Sequence, residues 1–187
     1  TSMKIYAIIV AAGKGTRMQS ELPKVMHTIL SETMVEHVLS NLNTIKVDQT
    51  VVVVGHGAEL VQDCLKDSVA YAIQSEQLGT GHAVMQSLPL LPIEGDSLIL
   101  YGDTPCIQAE TMANLYEVNK DADLTVLTAI FEDPARYGRI VRNAVGDIEK
   151  IVEYKDCTDE QKLIKEINTG IYCVKNKVLH EYLAMIK

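Results

Sequence analysis

Tryptophan is missing from this 187-residue chain, and phenylalanine occurs once. Aliphatic side chains must therefore fill any core, since apolar residues still make up 47% of the sequence. A chain of this length folds as one domain with a sizeable interior. Long apolar runs are missing too. None approaches membrane-spanning length, so neither a membrane segment nor a secretory leader is expected. Cysteine is sparse: Cys64, Cys106, Cys157 and Cys173 lie far apart, with no Cys-x-x-Cys pair. That argues against a zinc site and a small disulfide framework, and for reduced, mostly buried thiols in a cytoplasmic protein. The five histidines lack metal-ligand spacing. Basic residues are outnumbered 17 to 25, for a net charge of −8. Such a surface repels a nucleic-acid backbone, so the expected partners are neither nucleic acid nor membrane.

What the chain does have is concentrated near its start. Ile5 to Ala12 is an apolar run that reads as a strand buried on both faces. It breaks at once into Gly13-Lys14-Gly15-Thr16-Arg17-Met18, followed by Leu22-Pro23-Lys24. Glycine lets backbone approach a ligand, and turned-in N–H groups form a concavity for anions. Lys14, Arg17 and Lys24 supply the charge that a polyphosphate needs. Neither standard glycine fingerprint fits, because Met18 and Ile8 stand where the dinucleotide motif and the P-loop require glycine. The reading is a nucleoside triphosphate site of another kind.

Downstream, apolar runs alternate with helical spacing. Helices are expected over Thr33 to Leu42, Ala58 to Leu65, from near His82, Ala109 to Lys120 and Lys177 to Met185. Strands are expected over Gln49 to Val54, Val69 to Gln74, Ser97 to Tyr101, Leu124 to Ile130 and Ile167 to Val174. The pattern changes over Tyr137 to Val141 and Ile148 to Glu153, which alternate as a hairpin does, and Thr158 to Lys165 reads as a polar helix or an ordered loop. The sum is an α/β fold, a mostly parallel twisted sheet flanked by helices, with a small β insertion that could roof a pocket. His56, in the turn after the second strand, reads as a structural loop residue. Gln74 offers a donor and an acceptor suited to a pyrimidine edge, and Gly79-Thr80-Gly81 lets backbone come close to a base or ribose. Asp103, just past a buried strand in Gly102-Asp103-Thr104-Pro105, stands where open α/β sheets bind ligands and is the candidate Mg²⁺ ligand.

Ala11-Ala12-Gly13-Lys14-Gly15-Thr16-Arg17-Met18 with Pro23-Lys24 resembles the signature of sugar-1-phosphate nucleotidyltransferases. Gly79-Thr80-Gly81-His82-Ala83, Tyr101-Gly102-Asp103-Thr104-Pro105, Tyr137-Gly138-Arg139-Ile140 and Glu166-Ile167-Asn168-Thr169-Gly170 follow in one order. Together they are similar to the uridylyltransferase domain of bacterial N-acetylglucosamine-1-phosphate uridylyltransferases, from about Lys4 to the end. Val10 replaces the leucine usual there. The resemblance implies a Rossmann-like nucleotide-diphospho-sugar transferase fold. It implies that Val10, Ala11, Ala12, Gly13 and Gln74 hold uracil and ribose, helped by Gly79 and Thr80. Arg17 and Lys24 would be the catalytic cations, with the Gly15 loop donating backbone N–H groups. Tyr101 and Gly102 would line the pocket beside Asp103. Glu153 and Asn168 would contact the amino sugar through side chains, and Gly138 through its backbone.

The implied reaction is Mg²⁺-dependent: UTP and N-acetylglucosamine 1-phosphate give UDP-N-acetylglucosamine, a cell-wall and lipopolysaccharide precursor, and pyrophosphate. Residues 1–3 read as a tag remnant plus initiator Met, and 4–187 as a nucleotidyltransferase domain incomplete at its C-terminus. In the family a further metal-binding Asn and a β-helical acetyltransferase domain follow. That comparison implies a chain that binds better than it turns over and tends to self-associate. The alternatives are a non-catalytic nucleotide-sugar-binding fragment and a related transferase for another base or sugar.

Overall fold

The computed structural model describes residues 4–11, 28–29, 32–76, 78–102 and 107–185. In chain order the elements are β1 (Ile5–Val10), β2 (Thr28–Ile29), β3 (Glu32–Thr33), α1 (Met34–Thr44), β4 (Gln49–Val54), α2 (Ala58–Leu65), β5 (Ala70–Ile73), α3 (Thr80–Ser87) and β6 (Asp96–Tyr101). Then come α4 (Ala109–Val118), β7 (Leu124–Ile130), β8 (Arg139–Arg142), β9 (Ile148–Val152), α5 (Asp159–Lys162), β10 (Glu166–Lys175) and α6 (Asn176–Met185). The chain divides into two compact units: Thr1–Thr125 with Tyr172–Lys187, and Val126–Ile171.

In the first unit four parallel strands run in the order β5-β4-β1-β6, and Tyr172 to Lys175 of β10 add on antiparallel to β6. β1 is the hinge of this order. The chain steps from it to β4 and β5 on one side, then returns to place β6 on the other. Parallel strands covered on both faces need apolar side chains of both parities, and β1 and β4 supply them. Ile8, Val51, Val53 and Ile99 join Ala83 and Val84 of α3 in one cluster. Ile9, Val52, Leu98 and Leu100 point the other way and are also fully buried, as are Val35, Val38 and Leu42 of α1 and Met112 of α4. The core is mostly aliphatic, with Tyr6 and Tyr116 buried among the smaller side chains, in keeping with the lack of Trp and the single Phe.

At the N-terminal end of β6 buried polar groups satisfy one another. The Asn119 amide donates to Asp96 Oδ2 at 3.0 Å, and Lys175 Nζ donates to the carbonyls of Asn119 and Ala122 at 2.6 Å each. The Ser97 hydroxyl donates to Asn176 Oδ1, whose amide nitrogen reaches the Pro92 and Glu94 carbonyls at 3.0 and 3.1 Å. Gly95 turns the chain into this corner at φ +97°, and a Cβ there would stand 2.8 Å from Lys4 O and Tyr6 Cε2. Cys173, fully buried on β10, has its thiol pushed up to about 12 by burial and then by Asp96. It is a packing residue.

The second unit is smaller and mostly strand. β8 and β9 form an antiparallel hairpin, β10 pairs with β8 at Ile167↔Arg139, and the Thr169 hydroxyl on β10 reaches the Leu127 carbonyl of β7 at 2.7 Å. α5 is a single turn fixed by a capping box: Thr158 Oγ1 accepts from the Gln161 amide at 3.1 Å, and Gln161 Oε1 accepts from the Thr158 amide at 3.0 Å. Several boundaries differ from the sequence expectation, most by one or two residues. β1 ends at Val10, two residues early; α4 ends at Val118, where Asn119 to Asp121 tighten into a 3₁₀ turn; and the hairpin starts at Arg139 instead of Tyr137.

Candidate functional site

The expected nucleotide residues of the first unit gather at one edge, the C-terminal ends of the parallel strands. Val10 lies opposite Val53 on one side and Tyr101 on the other, and Val54 pairs with Ile73, so Gln74 leaves the sheet at the same edge. Backbone bonds fix these exits: Ala11 N–H to Val53 O at 2.8 Å, Gly102 N–H to Val10 O at 3.1 Å and Gln74 N–H to Val54 O at 2.8 Å. Val10-Ala11 and Tyr101-Gly102 therefore flank the point where the strand order reverses, the place where open α/β sheets form their ligand crevice.

Gln74 is buried, and its side chain is held. Its amide nitrogen lies 2.9 Å from His82 Nδ1 and 3.3 Å from Gly79 O. Gly79 precedes α3 at φ +105° with nothing within 4 Å of the place its Cβ would take, so a left-handed residue there leaves open space. Thr80, the first residue of α3, brings its hydroxyl to 3.0 Å from the Tyr101 hydroxyl. The two halves of the edge, β5-to-α3 and β1-to-β6, are thus joined by side chains.

In the second unit the three expected sugar residues also come together. The Asn168 backbone N–H donates to Gly138 O at 2.9 Å, and Asn168 Oδ1 accepts from the Gly170 backbone N–H at 2.9 Å. Both carboxylate oxygens of Glu153 lie 3.6 Å from the position of a Gly138 Cβ. Next door on β10, Glu166 takes a two-pronged ion pair from Arg142, Nε to Oε1 at 2.7 Å and Nη2 to Oε2 at 2.8 Å, with the Thr128 hydroxyl at 2.7 Å from Oε2. The Arg142 guanidinium, followed by the Thr128 hydroxyl, holds the Glu166 carboxyl below the usual carboxylate range against a smaller cost of burial.

Ala12, Gly13, Gly15, Arg17, Lys24 and Asp103 lie outside the described residues. Among the described residues no three His, Cys, Asp or Glu side chains converge as a metal site. Mg²⁺ in phosphate chemistry needs less than that, commonly one or two carboxylates with substrate phosphates and water. Gly102, tied to Val10 at the strand-order reversal, is the residue immediately before Asp103 in the sequence. No described helix is long and apolar enough to cross a membrane.

Two residues gain importance only in three dimensions. His82, which the sequence marks only as lying near a helix start, anchors Gln74. Arg139, beside Gly138, is almost fully buried. The one sequence signal for Arg139 was its alternation with Ile140 in a half-buried strand.

The chain matches the MobA-like NTP transferase domain over residues 7–168. Bifunctional protein GlmU of Limosilactobacillus reuteri is 53% identical over 186 residues, 98% of this chain and 41% of that protein. Bifunctional protein GlmU of Listeria welshimeri is 50% identical over 183 residues, 96% of this chain and 40% of that protein. The chain thus spans about two fifths of the length of the curated relatives it matches. Among solved structures, a Bacillus anthracis protein provisionally assigned as a glucose-1-phosphate thymidylyltransferase superposes with a TM-score of 0.82 at 21% identity, over 98% of this chain and 76% of that one. HddC from Yersinia pseudotuberculosis, complexed with GMP-PN, gives 0.75 at 24% identity, over 96% and 80%. At such identities these two show the fold. A family match that runs from the middle of β1 to Asn168 on β10, over a sheet reversing at β1, makes this chain a member of the MobA-like NTP transferase domain family.

Proposed function

We propose that this chain is the uridylyltransferase part of a GlmU-type protein, joining UTP and N-acetylglucosamine 1-phosphate into UDP-N-acetylglucosamine and pyrophosphate. The observation that carries the reading is the gathering of Val10, Ala11, Gln74, Gly79, Thr80, Tyr101 and Gly102 at the strand-order reversal. The half-identical relatives named above support the choice of substrates.

The acceptor is already an anion, so no side chain has to create the nucleophile. A phosphate oxygen of the sugar phosphate forms the new bond to the α-phosphorus of UTP, and the bond to the bridging oxygen breaks as pyrophosphate leaves. The barrier is repulsion between two anions, together with charge that grows on the leaving group. Arg17 and Lys24 lower it by charge placed in advance and by holding the reactants in line. Mg²⁺, held through Asp103 and substrate phosphates, would neutralise phosphate charge. Gln74, fixed by His82 and Gly79, orients uracil, while Gly138, Glu153 and Asn168 meet the amino sugar. Residues 4–187 are read as this one functional domain in a cytoplasmic protein.

The test is pyrophosphate release with UTP, N-acetylglucosamine 1-phosphate and Mg²⁺, beside calorimetric titration of UDP-N-acetylglucosamine. Release that needs both substrates is the expected result. Binding without release favours the non-catalytic nucleotide-sugar fragment, and neither binding nor release overturns the proposal.

A further inference from the structure

The second unit holds a buried charge that the proposed chemistry does not use. Arg139 is 2% exposed, and its hydrogen bonds to described residues reach no carboxylate. Its guanidinium instead donates to four backbone carbonyls: Nη1 to Pro134 at 3.2 Å and to Tyr137, Nη2 to Ala135 at 2.9 Å and to Lys162 at 3.3 Å. Its Cζ lies 5.5 Å from the centre of the Tyr154 ring, and Nε has no hydrogen-bond partner among the described residues. Burying such a group is costly, and an apolar side chain of the same length would fill the space more cheaply. What the guanidinium alone provides is a rigid fork of donors.

The carbonyls it holds are informative. Ala135 sits at φ +48°, a left-handed conformation that a residue with a side chain adopts at a cost, and Arg139 binds the carbonyl of that residue. Tyr137 C=O and Gly138 N–H belong to one planar peptide. Fixing the carbonyl therefore fixes the direction of the N–H. Gly138 O, in turn, takes the Asn168 amide, and Tyr154 follows Glu153 in the chain. One guanidinium thus bears on all three residues assigned to the amino sugar.

We propose that Arg139 is a positioning residue for the acceptor sugar: it clamps the 134–137 loop and aims the Gly138 N–H. This rests on the sugar role proposed above for Gly138, Glu153 and Asn168. Its hydrogen bonds to described residues all lie within the second unit, at Pro134, Ala135, Tyr137 and Lys162, so it bears on sugar recognition and not on nucleotide recognition.

Arg139→Met and Arg139→Lys, made in the whole chain, are titrated with UDP-N-acetylglucosamine and with UDP. Both variants are expected to bind the nucleotide sugar about tenfold more weakly, the loss of roughly one well-placed hydrogen bond, and to bind UDP as the wild type does. Lys keeps the charge and loses the fork, so its failure to rescue points to geometry. Equal weakening for both ligands, or none for either, overturns the proposal. If Arg139→Met does not fold, Arg139→Lys decides. Amide exchange in ligand-free protein gives an independent readout: Asn168 is expected to exchange faster in the variants, and the β4 amides at the wild-type rate. Unchanged Asn168 exchange overturns the clamp. A wild type that does not distinguish UDP-N-acetylglucosamine from UDP overturns the functional reading instead, while faster Asn168 exchange would still support the clamp.

Discussion

The two units are held together by different physics. In the first, β1, β4 and β6 bury aliphatic side chains on both faces, and its buried polar groups close on one another around Asp96 and Asn176. In the second, β9 is largely exposed, and the buried side chains include Ile140, Ile167 and Ile171 but also a charged Arg139. Stability in the first is spread over many interchangeable contacts. The second depends on a few directional ones, each aimed at a particular backbone atom. A region built that way is easier to perturb without unfolding the whole chain.

The largest effect is expected where burial alone acts. Leu100→Ala, at a fully buried position on β6, should cost about 2–5 kcal/mol of global stability, because the lost transfer energy adds to the cavity left behind. Urea denaturation measures it. A loss below about 1 kcal/mol would mean that the core relaxes more than its packing suggests.

A polar contact in the same unit should act on binding instead. His82→Leu removes the ring nitrogen next to the Gln74 amide. Uridine affinity should fall about two- to tenfold, the worth of one hydrogen bond, with little change in melting temperature. Unchanged affinity in a titration would leave His82 with no part in holding Gln74.

In the second unit acid is the probe. The folded carboxyl of Glu166 is lowered by Arg142, so its stabilising contribution is complete above the ordinary carboxylate range and is lost as pH falls through the lowered value. Glu166→Gln should therefore weaken protection of the β8 and β10 amides at neutral pH. The difference from wild type should shrink on acidification, as read by hydrogen exchange across a pH series. A pH-independent difference would contradict the ion-pair account.

The smallest effect is expected for an exposed pair. Glu117 and Lys120 approach to 2.8 Å with side chains 67% and 49% exposed. Glu117→Gln should change stability by no more than about 0.5 kcal/mol in the same denaturation assay. A larger loss would show that this exposed charge carries more than solvent screening allows.

Much of this was legible in the chain itself. Gln49–Val54, Ala58–Leu65 and Leu124–Ile130 have the bounds their patterns predict, because burial on one or both faces imposes the period. Two-residue strands carry no period, so β2 and β3 were not foreseen. The strand order could not be read either: nothing local says that β6 returns beside β1. The turns at Gly79 and Gly102 follow strand ends, because glycine marks where backbone must bend or approach. His82 and Arg139 carry little local signal, because the Gln74 partner of His82 lies 8 residues away and Arg139 acts through several backbone carbonyls.

Gly138 carries a consequence for how substrate choice could change. It is not among the glycines at positive φ, and a methyl there would meet Ile151 Cγ2 at 3.5 Å and the Glu153 oxygens at 3.6 Å, ordinary contact distances. The fold makes no demand for glycine at this place. If the amino sugar is the reason it stays bare, a side chain here alters which acceptor fits while leaving the scaffold intact. Position 138 is then a dial whose first step, glycine to alanine, the scaffold accommodates.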